Sequence, residues 1–524
     1  MQTPNKMVIF VAVLASLLEI IDTSIVNVAL PTMMGSLGAT LEDISMVITG
    51  YAIANAIVLP LSAWLSERIG RRKYYLGCIA AFTVASVACG LSPNLLSLTI
   101  FRVVQGFVGG ALLPTSQSLI YEQFPKEKAG MAGAIFGMSV MIGPTLGPVL
   151  GGYLTDTYGW RSIFNVNLPL GLIALLVGFS AITDREQTEE EKARHEKLFK
   201  QSFDAVGLAL LILGIGCLQY VLERGEPEDW LSSNYIITGC IVTAIALPTF
   251  VWWELRTPYP VINIRLFLNP LVASGVSLMA CLGFFLYGVV FILPVFVGRM
   301  FHYTATQTGI LFIPGSLLTA FMMPFIGRMM QARVNPKILI FIGFTAIECC
   351  LALMLRFSSL TNYDELQLMM YVRGFAMAFL FVPINSSILS QFNGATVGQV
   401  AGLLNLCRQI GGSMGIALIG TMLATRTKQN YSDLSEHVSL LDPATMQSFQ
   451  QVVMGSMTKF TNSLGMATGR DLALHQILYR LQTQAFMLSF VQLVGIMMAI
   501  MTIAYVPLYL LNLRRTVTAT MDSH

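Results

Sequence analysis

The chain has 524 residues, of which 55% are hydrophobic and only 11% are charged, whereas about a quarter of a soluble chain is charged. Most of its surface must therefore face lipid, so we expect an integral membrane protein. The formal net charge is only +3 and the basic residues are scattered through short loops, which excludes a nucleic-acid-binding protein built on a basic stripe.

Apolar runs long enough to cross a bilayer, which takes about 20 residues, recur along the whole chain. Six runs come first, a charged stretch follows, and eight more runs come after it. They lie roughly at residues 7–30, 45–65, 74–92, 97–120, 130–154, 161–182, 204–223, 234–253, 270–297, 306–329, 336–357, 366–389, 398–424 and 484–511. We therefore predict an all-α membrane protein with fourteen transmembrane helices.

An internal repeat indicates two related halves. Pro60–Lys73 and Pro324–Lys337 have the same length, and each ends one apolar run and precedes the next. Arg102 and Arg373 each lie inside a later apolar run, ahead of a proline. This weak repeat is typical of transporters with two helical bundles. We predict an N-terminal six-helix bundle at 1–182, a cytoplasmic linker at 183–203, two inserted transmembrane helices with a flanking loop at 204–269, and a C-terminal six-helix bundle at 270–524.

The distribution of Lys and Arg predicts the orientation of the chain, because cytoplasmic loops of membrane proteins are enriched in both. Basic residues recur in the loops that are inside if the N-terminus is inside, whereas loops 31–44 and 91–97 have none. We therefore predict that both termini are cytoplasmic. The polar segment 425–483 then forms a periplasmic loop and a candidate docking surface, with short amphipathic helices near 446–453 and 472–481.

Ionisable residues inside the apolar runs suggest the function, because a charge at the centre of a membrane helix costs about 2.5–3.5 kcal/mol unless it has a partner or a wet cavity. Asp22 and Glu19 are three residues apart on the first helix and so share one face, with Asn27 below them. We predict that they couple proton movement to transport. The alternative is a carboxylate paired permanently with Arg102 or Arg408, which only holds helices together.

The other buried charges are candidates for coupling or for lining a substrate cavity. Arg102 on the fourth helix shares a face with Gln105, and its guanidinium, always charged, can oppose protonation of a nearby carboxyl in one conformation and release it in another. A static clamp between helices is the alternative. For Arg408, two roles stay open, which are binding of anionic substrates and a structural ion pair. Glu348 is expected to have a structural role or to lie near the outer edge of the membrane. The candidates for the cavity are Asn27, Gln105, Arg408, Glu348 and Arg373.

Two glycine-containing segments are candidates for gating. On the fifth helix, glycines four residues apart leave one face bare for close packing, and two prolines free backbone carbonyls and bend the helix. The residues of this seam are Gly143, Pro144, Gly147, Pro148, Gly151 and Gly152.

In the loop after the second helix, an acid lies among several arginines. This pattern predicts a charge lock at the inner face that breaks when the bundles rock, and the alternative is a plain positive-inside anchor. Its residues are Glu67, Arg68, Gly70, Arg71 and Arg72.

The sequence argues against an enzyme. Gly411–Gly415 fits the G-x-S-x-G pattern of hydrolases but lies inside an apolar run and not at a strand-to-helix turn. No Gly-Lys pair occurs, so the chain lacks the P-loop that binds ATP. The eight cysteines form no C-x-x-C motif and no cluster with histidine, so we expect no metal and no other cofactor. The driving energy must then come from an ion gradient.

These motifs closely resemble those of the fourteen-helix drug:proton antiporters of the major facilitator superfamily, the EmrB/QacA subfamily, and the EmrB-type multidrug exporters most. The resemblance covers essentially the whole chain. It rests on I-D-T-S-I-V-N-V-A-L-P at 21–31, L-S-E-R-I-G-R-R-K at 65–73, R-V-V-Q-G at 102–106, G-P-T-L-G-P-V-L-G-G at 143–152, F-D-A-V-G-L at 203–208 and Y-T-A-T-Q-T-G-I-L-F-I-P-G at 303–315. Ala63 and Glu67 stand where the loop motif usually has glycine and aspartate, and Glu19 is an additional acid.

The resemblance implies the major facilitator fold and places Asp22 in the signature of helix one, Arg102 in the proton-transfer motif and residues 143–152 in the antiport motif. It also implies a drug exporter of the bacterial inner membrane that works with a periplasmic adaptor (EmrA-like) and an outer-membrane channel (TolC-like). Two other readings stay open. One is a dedicated exporter or symporter of one metabolite, such as a siderophore or a fatty acid, and the other is a membrane receptor that transports nothing.

Overall fold

The computed structural model describes residues 4–183, 204–258, 260–436, 446, 447, 450 and 466–511. Within these ranges the chain is helical and contains no strand, and fourteen helices are long and apolar enough to cross a membrane, which confirms the predicted number. They are α1 (Lys6–Leu37), α2 (Leu41–Ile69), α3 (Arg71–Gly90), α4 (Leu95–Gly109, then Leu112–Glu122), α5 (Ala129–Tyr158), α6 (Ser162–Asn165, then Asn167–Ala181), α7 (Ala205–Arg224), α8 (Asn234–Arg256), α9 (Pro270–Phe301), α10 (Ala305–Gln331), α11 (Pro336–Met354), α12 (Tyr363–Leu389), α13 (Ala395–Glu436) and α14 (Met466–Ile503, then Tyr505–Leu510).

Local sequence signals set the helix ends. Asn5 caps α1, because its side chain accepts a hydrogen bond from the backbone N–H of Met7 at 3.0 Å, and α1 ends at Gly38 with φ at +60°. Gly70 separates α2 from α3 with φ at +93°, a backbone conformation that glycine adopts without steric cost. Between such ends an apolar helix satisfies its own backbone hydrogen bonds, as a chain in lipid must.

The last two helices are longer than predicted. Helix α13 continues to Glu436, and α14 begins at Met466, so the amphipathic segment predicted near 472–481 is helical but forms the start of α14 and not a separate helix. The physical reason is that no glycine or proline interrupts residues 471–494. Most of the other predicted segment, 446–453, lies outside the described residues.

Helices α1–α6 pack mainly on one another, and α9–α14 do likewise, so the chain forms two six-helix halves. The halves meet where α5 packs on α10 and α12, and where α13 packs on α2 and α4. The inserted helices α7 and α8 pack on each other, and α7 also contacts α2 and α13. Helix α7 therefore lies beside the junction between the halves.

Because successive membrane helices alternate in direction, the loops after α2, α4, α8, α10 and α12 share the face at which α1 begins. We call this the basic face, and the other side the opposite face. The basic residues in or next to these loops are Arg68, Arg71, Arg72, Lys73, Lys126, Lys128, Arg256, Arg265, Arg328, Arg333 and Lys337.

Glycines let α5 pack closely on α1. A Cβ atom on Gly147 would lie 2.6 Å from the Cβ of Ser24, and one on Gly151 would lie 2.9 Å from the carbonyl oxygen of Ile25. The Ser24 hydroxyl also donates to the carbonyl oxygen of Gly143 at 3.3 Å. Any side chain on this face of α5 would push the two helices apart.

We therefore expect Gly147→Val to destabilise the fold by about 1–3 kcal/mol, the usual cost of overpacking a well-packed contact. The measurement is the thermal unfolding midpoint of the purified protein in detergent. Gly495→Val is the matched control, because a Cβ atom at Gly495 meets nothing within 4 Å. Equal midpoints for the two variants would contradict the close packing of α1 on α5.

Candidate functional site

A cavity of about 740 Å³ lies between the two halves of the protein. Its wall includes side chains of α1, α2, α4 and α5 from the N-terminal half, of α9, α10, α12 and α13 from the C-terminal half, and of the inserted helix α7. Many of these side chains are apolar, as in most small-molecule sites. The charged residues of the wall are Glu19, Arg102, Glu223, Arg373 and Arg408.

The structure brings most of the predicted cavity residues together, but not all of them. Asn27, Arg373 and Arg408 line the cavity. Gln105 does not, because it is fully buried inside the N-terminal half. Glu348 lies on α11, where its Oε1 accepts a hydrogen bond from the Thr502 hydroxyl of α14 at 3.3 Å, so it belongs to a contact between two helices of the C-terminal half.

Asp22 forms the centre of a buried polar network inside the N-terminal half. Its Oδ2 accepts from Nη1 of Arg102 at 2.5 Å, and its Oδ1 accepts from the amides of Gln105 at 2.9 Å and Asn167 at 2.7 Å. Asp22 is 0% exposed and Arg102 is 1% exposed. A buried ion pair whose other oxygen is also hydrogen-bonded is well compensated, so this network ties α1 to α4 and α6 in this conformation.

Arg102 links this network to the cavity. Besides Asp22, its Nη1 donates to Oε1 of Gln105 at 2.9 Å, and its guanidinium lies 4.2 Å from the centre of the Tyr51 ring. Both Arg102 and Tyr51 also form part of the cavity wall, whereas Asp22 does not. A change at the cavity wall can therefore reach Asp22 through Arg102.

Glu19, one turn before Asp22 on α1, turns toward the cavity. Its Oε1 accepts from the Asn55 amide of α2 at 2.8 Å, and its Oε2 accepts from the backbone N–H of Leu113 at 3.1 Å. That N–H is available because α4 breaks between Gly109 and Leu112, and the first N–H groups of a helix segment lack partners within it. The two carboxylates predicted to act together thus lie in different surroundings, one at the cavity wall and one sealed behind it.

Arg373 and Arg408 give the C-terminal wall of the cavity two guanidinium groups. Each is 5% exposed, and neither forms a salt bridge within the described ranges. The Nε of each is buried without a hydrogen-bond partner there. Arg408 donates to Oδ1 of Asn405 at 3.3 Å, and Arg373 lies 5.5 Å from the centre of the Phe312 ring. Unpaired buried guanidiniums are suited to bind an anionic group.

Contacts between the halves close the cavity toward the basic face. Buried amides join α4 to α12 and α13, since Gln117 donates to Asn385 at 2.8 Å and accepts from Asn405 at 2.7 Å. The hydroxyls of Tyr121 and Ser386 are 3.1 Å apart. We call this set, together with the close contact of Gly130 with Gly327, the basic-face gate. The sequence analysis missed it, because a single polar residue in a helix does not show which distant helix it contacts.

The predicted charge lock after α2 contacts the N-terminal half. Arg71 pairs with Glu122 at the end of α4, and Nη2 of Arg72 donates to the carbonyl oxygen of Phe179 in α6 at 2.8 Å. The guanidinium of Arg68 lies 5.3 Å from the Trp64 ring on the same helix. In this conformation Arg71 and Arg72 hold α3 to α4 and α6 of its own half.

The predicted seam on α5 faces several neighbours. Pro144 and Pro148 line the cavity, while Gly143, Gly147 and Gly151 face α1. Gly152 faces α10 instead, because a Cβ atom there would lie 3.5 Å from the hydroxyl of Thr306. Helix α5 therefore contacts the cavity, its own half and the other half.

Two cavity residues that the sequence analysis missed lie on α7, in the inserted pair. Gln219 and Glu223 are one turn apart and both line the cavity. The available signal was a Gln and a Glu four residues apart near the end of an apolar run, which puts both on one helix face.

Comparisons with known proteins agree with this architecture. The profile of the Major Facilitator Superfamily matches residues 12–416. The chain is similar to the multidrug export protein EmrB of Haemophilus influenzae, with 34% identity over 441 residues, 84% of each chain. It is also similar to the fatty acid resistance protein FarB of Neisseria gonorrhoeae, with 32% identity over 427 residues, 81% of this chain and 82% of that one.

Among solved structures, the crystal structure of the human organic anion transporter MFSD10 (TETRAN) is similar to this one, with a TM-score of 0.61. The match covers 98% of this chain and 100% of that chain at 15% sequence identity. At this identity the likeness supports the fold and not the function.

Proposed function

The chain belongs to the Major Facilitator Superfamily, and from this premise we propose that it exports drugs or other amphipathic small molecules across the bacterial inner membrane in exchange for protons, by alternating access. It is a multi-pass membrane transporter and not an enzyme. The observation that carries the proposal is a largely apolar cavity between the two halves, with Glu19 and Arg102 in its wall and Asp22 bonded to Arg102 behind it.

Proton coupling is assigned to Asp22, Arg102 and Glu19. Glu19 is the acid at the cavity wall, so it exchanges its proton with the compartment to which the cavity opens. Asp22 takes a proton only in a conformation in which Arg102 has moved away, because the guanidinium now occupies its Oδ2. The ion pair thus links the protonation state of Asp22 to the position of α4.

The direction of transport follows if the basic face is cytoplasmic, with both termini on that side. The basic-face gate closes the cavity toward that face, while Asn27 and Tyr303, nearer the opposite face, line the cavity. This conformation would then be the one that releases cargo outward. Return to the inward-open state breaks the gate, with α5 as the hinge and residues 67–72 as a lock that changes partners.

A periplasmic adaptor and an outer-membrane channel are the proposed partners, by analogy with the named relative EmrB. The lengths of α13 and α14 support a docking surface at the opposite face. Helix α13 has 42 residues and α14 has 38, whereas about 20 residues cross a bilayer, so both extend well beyond it. Segment 425–483 joins them on that side, and most of its central part lies outside the described residues.

A second candidate function is export of one anionic metabolite, such as a fatty acid. The observation that favours it is the pair of guanidiniums of Arg373 and Arg408, which line the cavity without forming a salt bridge in the described part of the chain. The similarity to FarB points the same way.

The test of the main proposal uses the full chain in proteoliposomes with an imposed pH gradient. We expect transport of several amphipathic compounds against the proton flow, and release of protons when substrate is added. Transport in the same direction as the proton flow would identify a symporter. If adding substrate causes no proton movement, the protein does not transport these compounds by proton exchange. Adding a purified adaptor tests the partner.

A substitution separates the two candidates. If an anionic metabolite is the cargo, Arg408→Gln is expected to raise the KM for laurate by about tenfold or more, because an ion pair with the substrate is lost. If the exporter accepts many amphipathic compounds, the KM for neutral compounds changes little. Arg356→Gln is the control, because Arg356 is exposed and not part of the cavity wall.

A further inference from the structure

Helix α7 gives the cavity a carboxylate that forms no ion pair with any described residue. Glu223 lines the cavity and forms no salt bridge among the described residues. The next residue, Arg224, instead pairs with Glu228 at 3.2 Å and bonds to the hydroxyl of Ser45. A carboxylate at a cavity wall without a paired cation is available to a cationic ligand.

The polar groups around Glu223 are short of hydrogen-bond donors. Its Oε1 accepts from the amide of Gln219 at 2.9 Å and from the hydroxyl of Ser413 at 3.1 Å. The Gln219 amide also donates to the Ser413 hydroxyl at 2.6 Å. Within the described chain, both of these contacts of Glu223 go to Oε1, and Oε1 of Gln219 is buried without a partner.

This imbalance indicates the chemistry of a ligand that the site would bind. Gln219 is 1% exposed, so its unpaired oxygen costs free energy unless a donor reaches it. A carboxylate oxygen and an amide oxygen both accept hydrogen bonds. The group that satisfies them is one with N–H donors and a positive charge, such as a protonated amine.

Aromatic rings complete the site on the side of α9. Tyr287 and Phe291 are one turn apart and both line the cavity. A Cβ atom on Gly412, next to Ser413, would lie 2.3 Å from Cδ2 of the Tyr287 ring, and one on Gly420 would lie 3.7 Å from the Phe291 ring. Both rings therefore pack along the stretch of α13 that contacts Glu223, where they can stack on an aromatic ligand or face its cation.

The site lies away from Arg408 along the axis of α13. Helix α13 runs from the basic face to the opposite face, and Ser413 comes five residues after Arg408, roughly 7.5 Å further along the helix axis. Glu223 is next to the end of α7 at that same opposite face. Glu223 is thus separated from Arg408 along the transport axis.

We propose that Glu223, Gln219 and Ser413, with the rings of Tyr287 and Phe291, form a subsite that binds the protonated amine of an aromatic substrate. The inserted helix pair is then part of the substrate pathway, and Glu223 determines the preference for amines. This inference rests on the proposed transport function and names a substrate class for the same cavity.

The test measures equilibrium binding to the full chain in nanodiscs, without a pH gradient. The probes are propranolol, an aromatic secondary amine that is cationic at pH 7, and 1-naphthoxyacetate, which carries the same ring system on a carboxylate. We expect Glu223→Gln to raise the Kd of propranolol by about tenfold or more, because the cation loses its charge partner. The Kd of 1-naphthoxyacetate should change less than about twofold, which also shows that the variant is folded.

Two further variants sharpen the result. Glu226→Gln is the matched control, because Glu226 is exposed, three residues away and outside the cavity wall, and it should leave both affinities unchanged. Glu223→Asp keeps the charge and should retain most of the propranolol affinity. The inference is overturned if Glu223→Gln weakens both probes equally or neither. A second result would also overturn it. If sodium chloride displaces propranolol from the protein with Glu223 but not from Glu223→Gln, and choline chloride at the same ionic strength displaces it from neither, the site binds sodium.

The outcome of this test does not depend on the outcome of the test of the main proposal. Binding without a gradient does not depend on proton coupling, so a loss of coupling in Asp22 variants leaves the amine result intact. If gradient-driven transport is found and the preference for amines is not, only the substrate class is wrong.

Discussion

Asp22→Asn is expected to abolish pH-gradient-driven efflux from proteoliposomes, with a fall of at least about a hundredfold, and to lower the stability of the protein. The carboxylate accepts bonds from Arg102, Gln105 and Asn167, and it is the charge that compensates the buried guanidinium. Removing one partner of a buried ion pair costs about 3–5 kcal/mol, and about 1.4 kcal/mol corresponds to tenfold. The measurement is the initial rate of efflux under an imposed pH gradient.

A second variant separates coupling from folding. In Asp22→Asn combined with Arg102→Gln both partners are neutral, so no uncompensated charge remains and most of the stability should return, as judged by the thermal midpoint. Efflux should nevertheless stop responding to the pH gradient. Asp156→Asn is the control for removal of an acid, because Asp156 is exposed at the end of α5. Undiminished gradient-driven efflux in either Asp22 variant would remove Asp22 from the coupling mechanism.

Gly327→Val is expected to shift the protein away from the conformation that is closed at the basic face. A Cβ atom on Gly327 would lie 2.8 Å from the carbonyl oxygen of Gly130, and a Cβ atom on Gly130 would lie 2.8 Å from that of Gly327. Because backbone atoms block both positions, α5 and α10 must separate to admit a side chain. A penalty of about 1–3 kcal/mol changes the equilibrium between the two conformations by roughly 5- to 150-fold.

Distances between two spin labels measure this shift. The exposed Cys349 is first replaced by Ser, and cysteines for the labels are introduced at Glu127 and Ala332. Both positions are exposed, near the ends of α5 and α10, so the distance between the labels reports the separation of these helices at the basic face. The Val variant should populate a longer distance and export more slowly. Gly298→Val is the control, because a Cβ atom there meets nothing within 4 Å. An unchanged distance distribution for Gly327→Val would show that this contact does not hold the gate closed.

Much of the fold followed from local properties of the sequence. The number of helices depends on how many apolar runs reach the length of a bilayer, and their ends follow from caps and glycines such as Asn5 and Gly70. The predicted end of α13 and the predicted start of α14 were wrong, because polar residues do not stop a helix that extends beyond the membrane.

The candidate site was predictable only in part. Asp22, Arg102 and Arg408 stood out because a charge inside an apolar run needs a partner or a cavity. Glu223 did not stand out, because it lies next to the end of its run, where a carboxylate can also reach water. Glu348 was also a cavity candidate, but it is only half-buried and lies in a contact between α11 and α14, because a neighbouring helix can also satisfy an acid in an apolar run.

The sequence by itself determined that this is a membrane protein with fourteen helices, and which of the residues in its apolar runs carry charge, because hydropathy, helix length and charge are properties of single segments. Only the tertiary structure decided which groups meet. It placed Glu19 at the cavity and Asp22 behind it, brought α7 into the wall, and joined Gln117 to Asn385 and Asn405, which are 268 and 288 positions away in the chain. Contacts at such separations depend on how whole helices pack, and the local pattern of residues does not encode that packing.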